Sequence, residues 1–352
     1  MALHALLLHI AFCLVLAGLS AVLTRLLVTR GWMLDHPNTR SSHTAAVPRA
    51  GGIAIALTFL AGLAVYAAVS GESHVNDGFF QGFAAAVVAI FVVSVADDLL
   101  TVNFTTKLGT QVAATVVVLV TGTVLWRVPV PGLGPVSLGL AGPVLTGLWI
   151  VGLTNAFNFM DGLDGLAAGQ AVVAAAAFLL VTSLQGSDFV YLMSYMLLAG
   201  AAGFLVYNFP PARIFMGDSG SQFLGFTFAL LAVIAARYDH AQTSFLVMPL
   251  LFLSFIWDTA LTFARRLWRG ERVTEGHRDH LYQRLNRSGW SHRAVTLLHL
   301  AVAAAQGAGA LILVHIPGNA RLLVFVPFLV WQAGYTLWVD RRLRRAAVDA
   351  AS

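Results

Sequence analysis

A membrane-spanning helix needs about 20 mostly apolar residues, and eleven stretches of that kind follow one another along this chain. They run Leu3–Leu27, Gly51–Ser70, Phe79–Ala96, Leu108–Trp126, Leu138–Leu153, Leu166–Leu184, Phe189–Tyr207, Ser221–Ala236, Phe245–Phe263, Val295–Val314 and Leu322–Val339. Only 11% of the 352 residues are charged, against roughly 25% in soluble domains. So few charges cannot coat soluble domains, and 58% hydrophobic residues is far too many for a disordered chain. The expected fold is all-α, a polytopic integral membrane bundle of 10–11 transmembrane helices forming one domain over residues 1–352. The fifth stretch is short and starts near Pro143. The first is too long for a signal-peptide core and reads as a retained helix.

The connections alternate in character. Segments 71–78, 127–137, 185–188, 237–244 and 315–321 are short and nearly uncharged. Segments 28–50, 97–107, 154–165, 208–220, 264–294 and 340–352 carry most ionisable groups, and with Arg25 at the adjoining helix end that side holds 18 of the 21 Arg and Lys. The positive-inside rule puts this second set in the cytoplasm, with the N-terminus outside and the C-terminus inside. The net charge of +5 then follows from topology and an anionic substrate, and no nucleic-acid partner is expected. The arginines at 341–345 suit anionic lipid headgroups. The single cysteine, Cys13, allows no internal disulfide and no cysteine metal site.

The acids share the asymmetry. Asp97, Asp98, Asp161, Asp164 and Asp218 all fall on the basic side, near helix ends. Carboxylates beside hydrocarbon need a partner or a function. Five from three loops suggest one acidic site that repels itself unless a cation neutralises it, and oxygen ligands favour Mg²⁺ or Mn²⁺. Asp97 and Asp98 end the third stretch, facing the unfavourable end of a helix dipole. Asn155, Asn158, Asp161 and Asp164 recur every three residues, roughly one face of a helical turn, and Gly162 lets a ligand approach the backbone. Gly217 and Gly220 flank Asp218 before a helix start, which either caps that helix or offers N–H groups to a phosphate. Phe215 beside it is an interfacial aromatic or a stacking platform. In the last loop, Arg272, His277, Arg278, Asp279, His280, Tyr282, Arg284 and Arg287 offer a weak metal pair or diphosphate donors. The first loop, Asp35 to His43 and then Pro48-Arg49-Ala-Gly51-Gly52, suits an anion or a plain turn. An ion pair with Arg265 explains Asp258. The remaining histidines read as packing or solvent-facing.

Together these features suit transfer of a phosphorylated group from a nucleotide donor to a lipid. From Asp35 to Arg287 the chain also resembles the polyprenyl-phosphate N-acetylhexosamine-1-phosphate transferases, of glycosyltransferase 4 type. The matching motifs are Asp97-Asp98, NxxNxxDGLDGL at 155–166 and FMGDSGS at 215–221. PNTRSSH followed by PRAGG resembles the O-antigen-initiating branch more than its relative, phospho-N-acetylmuramoyl-pentapeptide transferase. The resemblance implies a bacterial inner-membrane enzyme using Mg²⁺ (Mn²⁺ as substitute), a UDP-N-acetylaminosugar and undecaprenyl phosphate, with a homodimer kept open. It implies Asp218 as principal metal ligand, joined by Asp161, and Asp97, Asp98 and Asp161 as catalytic acids. Asn158 lies by the diphosphate, Gly162, Leu163 and Asp164 contact uracil with Phe215 stacked on it, and Lys107 nears the phosphates. Arg49, Arg278, His280 and Arg284 complete the substrate contacts. The last loop reads HRDHLYQR, with Tyr282 and Gln283 where many members carry further histidines. That resembles a subgroup handling N-acetylfucosamine or N-acetylquinovosamine rather than N-acetylglucosamine. A CDP-alcohol phosphotransferase is the rival enzyme, but its DGxxAR signature is missing. An ion-coupled transporter would carry acids near the bilayer midplane, whereas these cluster at one end.

Overall fold

The computed structural model describes residues 3–35, 46–69, 75–100, 102–130, 134–187, 189–239, 241–272 and 278–349. Among them are thirteen α-helices and two small hairpins. The helices are α1 Leu3–Arg30, α2 Gly51–Val69, α3 Gly78–Leu100, α4 Phe104–Val120, α5 Ala141–Phe159, α6 Leu166–Leu184 and α7 Phe189–Asn208. There follow α8 Asp218–Arg237, α9 Val247–Leu251, α10 Leu253–Trp268, α11 Leu281–Arg287, α12 His292–His315 and α13 Phe325–Asp349, with a 3₁₀ turn at Gly318–Val324. Antiparallel pairs β1–β2 (Leu34–Asp35 with Val47–Pro48) and β3–β4 (Arg127–Val130 with Gly134–Ser137) close two of the loops.

Every apolar stretch is helical over most of its length, and among the described residues eight helical segments are long and apolar enough to cross a membrane. Three details differ from the sequence reading. The fourth stretch stops at Val120, and Trp126 belongs to the approach to the β3–β4 hairpin. The ninth is broken at Phe252 into α9 and α10. Asp97, Asp98 and Lys107 lie inside α3 and α4 rather than in a loop.

α8 is the axis of the bundle: its span is 94% buried, against 17% for α1. It packs on α2, α3 and α5. Its Phe223 and Phe228 meet Phe59, Phe91, Phe157 and Phe252 edge-on, tilted or offset. Helices in lipid gain nothing from the hydrophobic effect among themselves, so close packing and interhelical polar bonds hold them. α6 accordingly buries a run of alanines, Ala167, Ala168, Ala171, Ala174 and Ala175. Its Gln170 donates to the Leu251 carbonyl at 2.7 Å. That bond satisfies a backbone acceptor at the α9–α10 break, as a helix interruption inside a membrane requires. Exposed Leu14, Val15, Leu184 and Val206 form the apolar exterior that lipid would cover.

Candidate active site

Asp97 and Asp98 occupy the last turn of α3, and the two carboxylates diverge. The Asp98 side chain is fully buried and pairs with Arg49 Nη2 at 2.9 Å. It also accepts the backbone N–H groups of Asp218 and Ser219, at 3.0 and 2.9 Å. Asp98 is thus the cap of α8, supplied from another helix. An anion at a helix N-terminus satisfies orphan N–H groups and complements the dipole. Of the two readings of this helix start, a cap or a phosphate site, the capped arrangement is the one observed, with the cap supplied by Asp98. Both oxygens of Asp98, expected as a catalytic acid, are thereby engaged by protein donors.

Gly217 precedes α8 with φ 71°. A Cβ there would lie 2.5 Å from the Arg49 carbonyl and 2.7 Å from an Asp98 oxygen. Behind it, α2 and α8 start back to back, with a Cβ on Gly52 reaching 2.0 Å from the Gly220 nitrogen. Gly51 and Gly52 donate to the Phe215 and Met216 carbonyls, at 3.0 and 2.7 Å, and Phe215 donates to Pro48 at 2.7 Å. The Gly-Gly helix start therefore docks the 215–217 segment instead of cradling an anion. Phe215 itself is half-buried.

Asp97 is 2% exposed. It accepts the Val102 N–H at 2.7 Å and pairs with Lys107 Nζ at 2.5 Å. The same ammonium lies 2.7 Å from Asp218, whose side chain is 20% exposed. Asn158 donates to Asp218 at 3.2 Å and to Ser221 at 2.8 Å. Gln222 donates to Asp218 at 3.0 Å. From there an amide chain runs inward: Gln111 donates to Gln222 at 3.1 Å, and Asn155 donates to Gln111 at 2.6 Å. Gln111, Ser221 and Gln222 were not singled out from the sequence. Glutamines inside apolar helices near an acid were the available signal, because buried amides in a membrane need partners.

The three-residue repeat is not one helical face. α5 ends at Phe159, so Asn155 and Asn158 lie on it while Asp161 and Asp164 follow in the loop to α6. Asp161 is partly exposed, and no hydrogen bond or ion pair reaches its carboxylate among the described residues. Burial, then the charges of Asp218 and Asp98, push it up to about 7. Asp164 turns the other way. It accepts the Ala212 N–H at 3.0 Å and pairs with His292 at 3.1 Å. Burial pushes its carboxyl up, but the His292 and Ala212 bonds outweigh that and leave it below the usual range. Leu163 is 6% exposed and belongs to the core. Gly162 lies under α11, where an added Cβ would meet the Tyr282 hydroxyl at 2.1 Å and the Gln283 amide at 3.1 Å.

Asp258 does not pair with Arg265. It accepts the Leu281 and Tyr282 N–H groups at 2.9 and 3.3 Å and lies 3.1 Å from His280 Nδ1, so it caps α11. Tyr282, fully buried, donates to the Phe159 carbonyl at 2.9 Å, which fixes α11 against the end of α5. His280 is buried between Phe159 and Tyr282, behind the acid cluster. Arg284 leaves the expected site: it pairs with Asp340 of α13 at 2.7 Å. Arg278 is half-buried, and no hydrogen bond or ion pair joins it to the acid cluster among the described residues. His277 and the 36–45 segment, with Asn38, Arg40 and His43, lie outside the described residues.

Fold and site define a class: a polytopic helical membrane protein with a cation-laced carboxylate cluster at one end of its bundle. The glycosyl transferase family 4 model matches residues 80–236, which contain Asp97, Lys107, Asn158, Asp161 and Asp218. A probable undecaprenyl-phosphate N-acetylglucosaminyl 1-phosphate transferase of Bacillus subtilis (strain 168) is 32% identical over 267 residues, 75% of this chain and 73% of the relative. A decaprenyl-phosphate N-acetylglucosaminephosphotransferase of Mycobacterium tuberculosis (strain CDC 1551 / Oshkosh) is 33% identical over 321 residues, 81% and 78% of the two chains. A phospho-N-acetylmuramoyl-pentapeptide-transferase of Lactiplantibacillus plantarum is 32% identical over 173 residues, 49% and 52%. The chain belongs to glycosyl transferase family 4.

Proposed function

We propose that this protein transfers an N-acetylaminosugar 1-phosphate from a UDP-sugar to undecaprenyl phosphate, in the bacterial cytoplasmic membrane. The products are an undecaprenyl-diphosphate sugar and UMP, the first step of a cell-envelope polysaccharide of O-antigen type. The observation that carries the reading is the meeting of Asp97, Asp218 and Asn158 around Lys107, beside Asp161, on four different elements at one bundle end. The names of the family relatives support its coarser part, transfer of an aminosugar phosphate to a polyprenyl phosphate.

A lipid phosphate oxygen attacks the β-phosphorus of the UDP-sugar. The new P–O bond forms as the bond to the bridging oxygen breaks, and UMP departs with that oxygen. Lys107, 29% exposed, is the cation that incoming phosphates meet, held between Asp97 and Asp218. Asp97 aims that ammonium. With one oxygen on the Val102 N–H and the other facing Lys107, it favours direct displacement over a covalent aspartyl intermediate. Asn158 and Gln222 fix the rotamer of Asp218 through bonds at 3.2 and 3.0 Å.

Among the described residues no three acidic, histidine or cysteine side chains form a ready metal cage. That suits Mg²⁺, which is bound by one or two carboxylates together with water and substrate phosphate. Asp161, whose carboxylate has no protein partner among the described residues, and the exposed edge of Asp218 are the donors that fit. When bound there, Mg²⁺ supplies charge neutralisation at the diphosphate. UMP release from a panel of UDP-sugars (N-acetylglucosamine, N-acetylfucosamine, N-acetylquinovosamine), with and without undecaprenyl phosphate and Mg²⁺, tests the reading. Release that ignores the lipid, or none with any sugar, refutes it.

A further inference from the structure

A second charged feature lies away from the acid cluster, where α10, α11 and α13 meet. Two adjoining cavities of about 210 and 450 Å³ share Arg265, Arg269, Arg284 and Leu343 in their walls. Thr262, Arg266, Asp279 and Arg287 complete one, Asp340 and Arg344 the other. Asp340 is held between Arg265 and Arg284, at 2.7 Å from each. Arg266 is taken by Asp279 at 3.0 Å and Glu271 at 3.1 Å, and Glu271 lies 3.6 Å from Arg269. Six arginines are thus met by three acids. Arg287 and Arg344 have no carboxylate partner among the described residues. Arg266 is 9% exposed, and its Nε is buried without a hydrogen-bond partner. Concentrated positive charge over partly desolvated guanidinium groups is a site for a multiply charged oxyanion, because arginine binds phosphate in bidentate fashion.

The rim says where that anion comes from. Leu267 and Trp268 on the last turn of α10 are 63% and 93% exposed. Leu337 and Trp338, one turn before Asp340 on α13, are 55% and 39% exposed. Exposed Trp beside arginine is the pattern of a chain crossing the headgroup layer, with the ring in the interface and the charge at the phosphates. Basic pockets between helices at that level take anionic headgroups.

We propose that the α10–α11–α13 cavity binds the headgroup phosphate of an anionic glycerophospholipid. The site is separate from the acid cluster: α11 turns Tyr282 towards the end of α5 and Arg284 towards α13. An occupant would brace α11 from the side opposite the proposed catalytic centre.

The test uses the purified full-length protein in zwitterionic detergent, with dioleoylphosphatidylglycerol adducts counted by native mass spectrometry, so it reads lipid binding and not turnover. The triple variant R269Q/R287Q/R344Q changes only arginines outside the proposed catalytic machinery. A control, R341Q/R345Q, removes charge from the tail outside the cavity. Unfolding temperature confirms that both variants fold. The expected result is a roughly tenfold or greater loss of apparent phosphatidylglycerol affinity in the triple variant, a distinctly smaller loss in the control, and no displacement by millimolar inorganic phosphate. Four results overturn the proposal: wild-type binding by the triple variant, an equal loss in the control, displacement by free phosphate, or preferential displacement by undecaprenyl phosphate.

Discussion

Replacing Asp98 by alanine removes a carboxylate that holds three donors. Two are the first N–H groups of α8, at 3.0 and 2.9 Å, and the third is Arg49 at 2.9 Å. Loss of a helix cap costs about 0.5–2 kcal/mol. Removing one member of a buried ion pair costs about 3–5 kcal/mol. Arg49 is 36% exposed, so water screens part of that second cost. A total of about 3 kcal/mol is the expected destabilisation for alanine, and about half of that for asparagine, which keeps one acceptor. Asp97→Asn and Asp218→Asn form the contrasting pair. Each relieves repulsion among close carboxylates and leaves Lys107 one acid partner, so their unfolding temperatures are expected to stay within a few degrees of wild type. The assay is thermal unfolding in detergent, paired with UMP release. The expected pattern is loss of both stability and turnover for the Asp98 variants, and loss of turnover alone for Asp97→Asn and Asp218→Asn. An Asp98→Ala protein as stable as wild type would refute the capping role. A stable, inactive Asp98→Asn protein would return this residue to the chemistry.

Two further outcomes follow from local geometry. Gly217→Ala places a Cβ in the left-handed region and 2.5 Å from the Arg49 carbonyl; it is expected to cost at least about 1–2 kcal/mol and to lower turnover, checked by unfolding temperature and UMP release. Asp164 has a folded carboxyl below its usual range, so its stabilisation is fully present above the unfolded pKa of about 3.9. It is lost as pH falls through the lower folded value, and Asp164→Asn should flatten the fall of unfolding temperature on acidification below about pH 4.

The helical architecture was legible in the sequence because a bilayer imposes one length on every crossing, and that length shows in composition alone. The break at Phe252 was not legible. Phe245–Phe263 is apolar throughout, and the interruption is stabilised by Gln170, 81 residues away. The acid cluster was legible as a set, since carboxylates at the ends of apolar helices are costly and therefore informative. Their division of labour was not. Asp97 and Asp98 are neighbours in sequence, yet one meets Lys107 while the other caps α8 from 120 residues away. Asp258 and Arg265 stand two turns apart and looked like partners, but each has a better one across a tertiary contact, at His280 and Asp340. Spacing carries local geometry well, and the choice among competing partners lies in the packing.

Movement of a sugar phosphate from nucleotide to lipid is the reaction proposed for this acid cluster. It is tested most directly with UDP-N-acetylaminosugars labelled with ³²P at the β-phosphate, undecaprenyl phosphate, Mg²⁺ and the purified protein, followed by solvent partition. Label is expected in the lipid phase with wild type, and none with Asp218→Asn at any Mg²⁺ concentration. Label that stays in water for every donor, or that moves at the wild-type rate with Asp218→Asn, would contradict it.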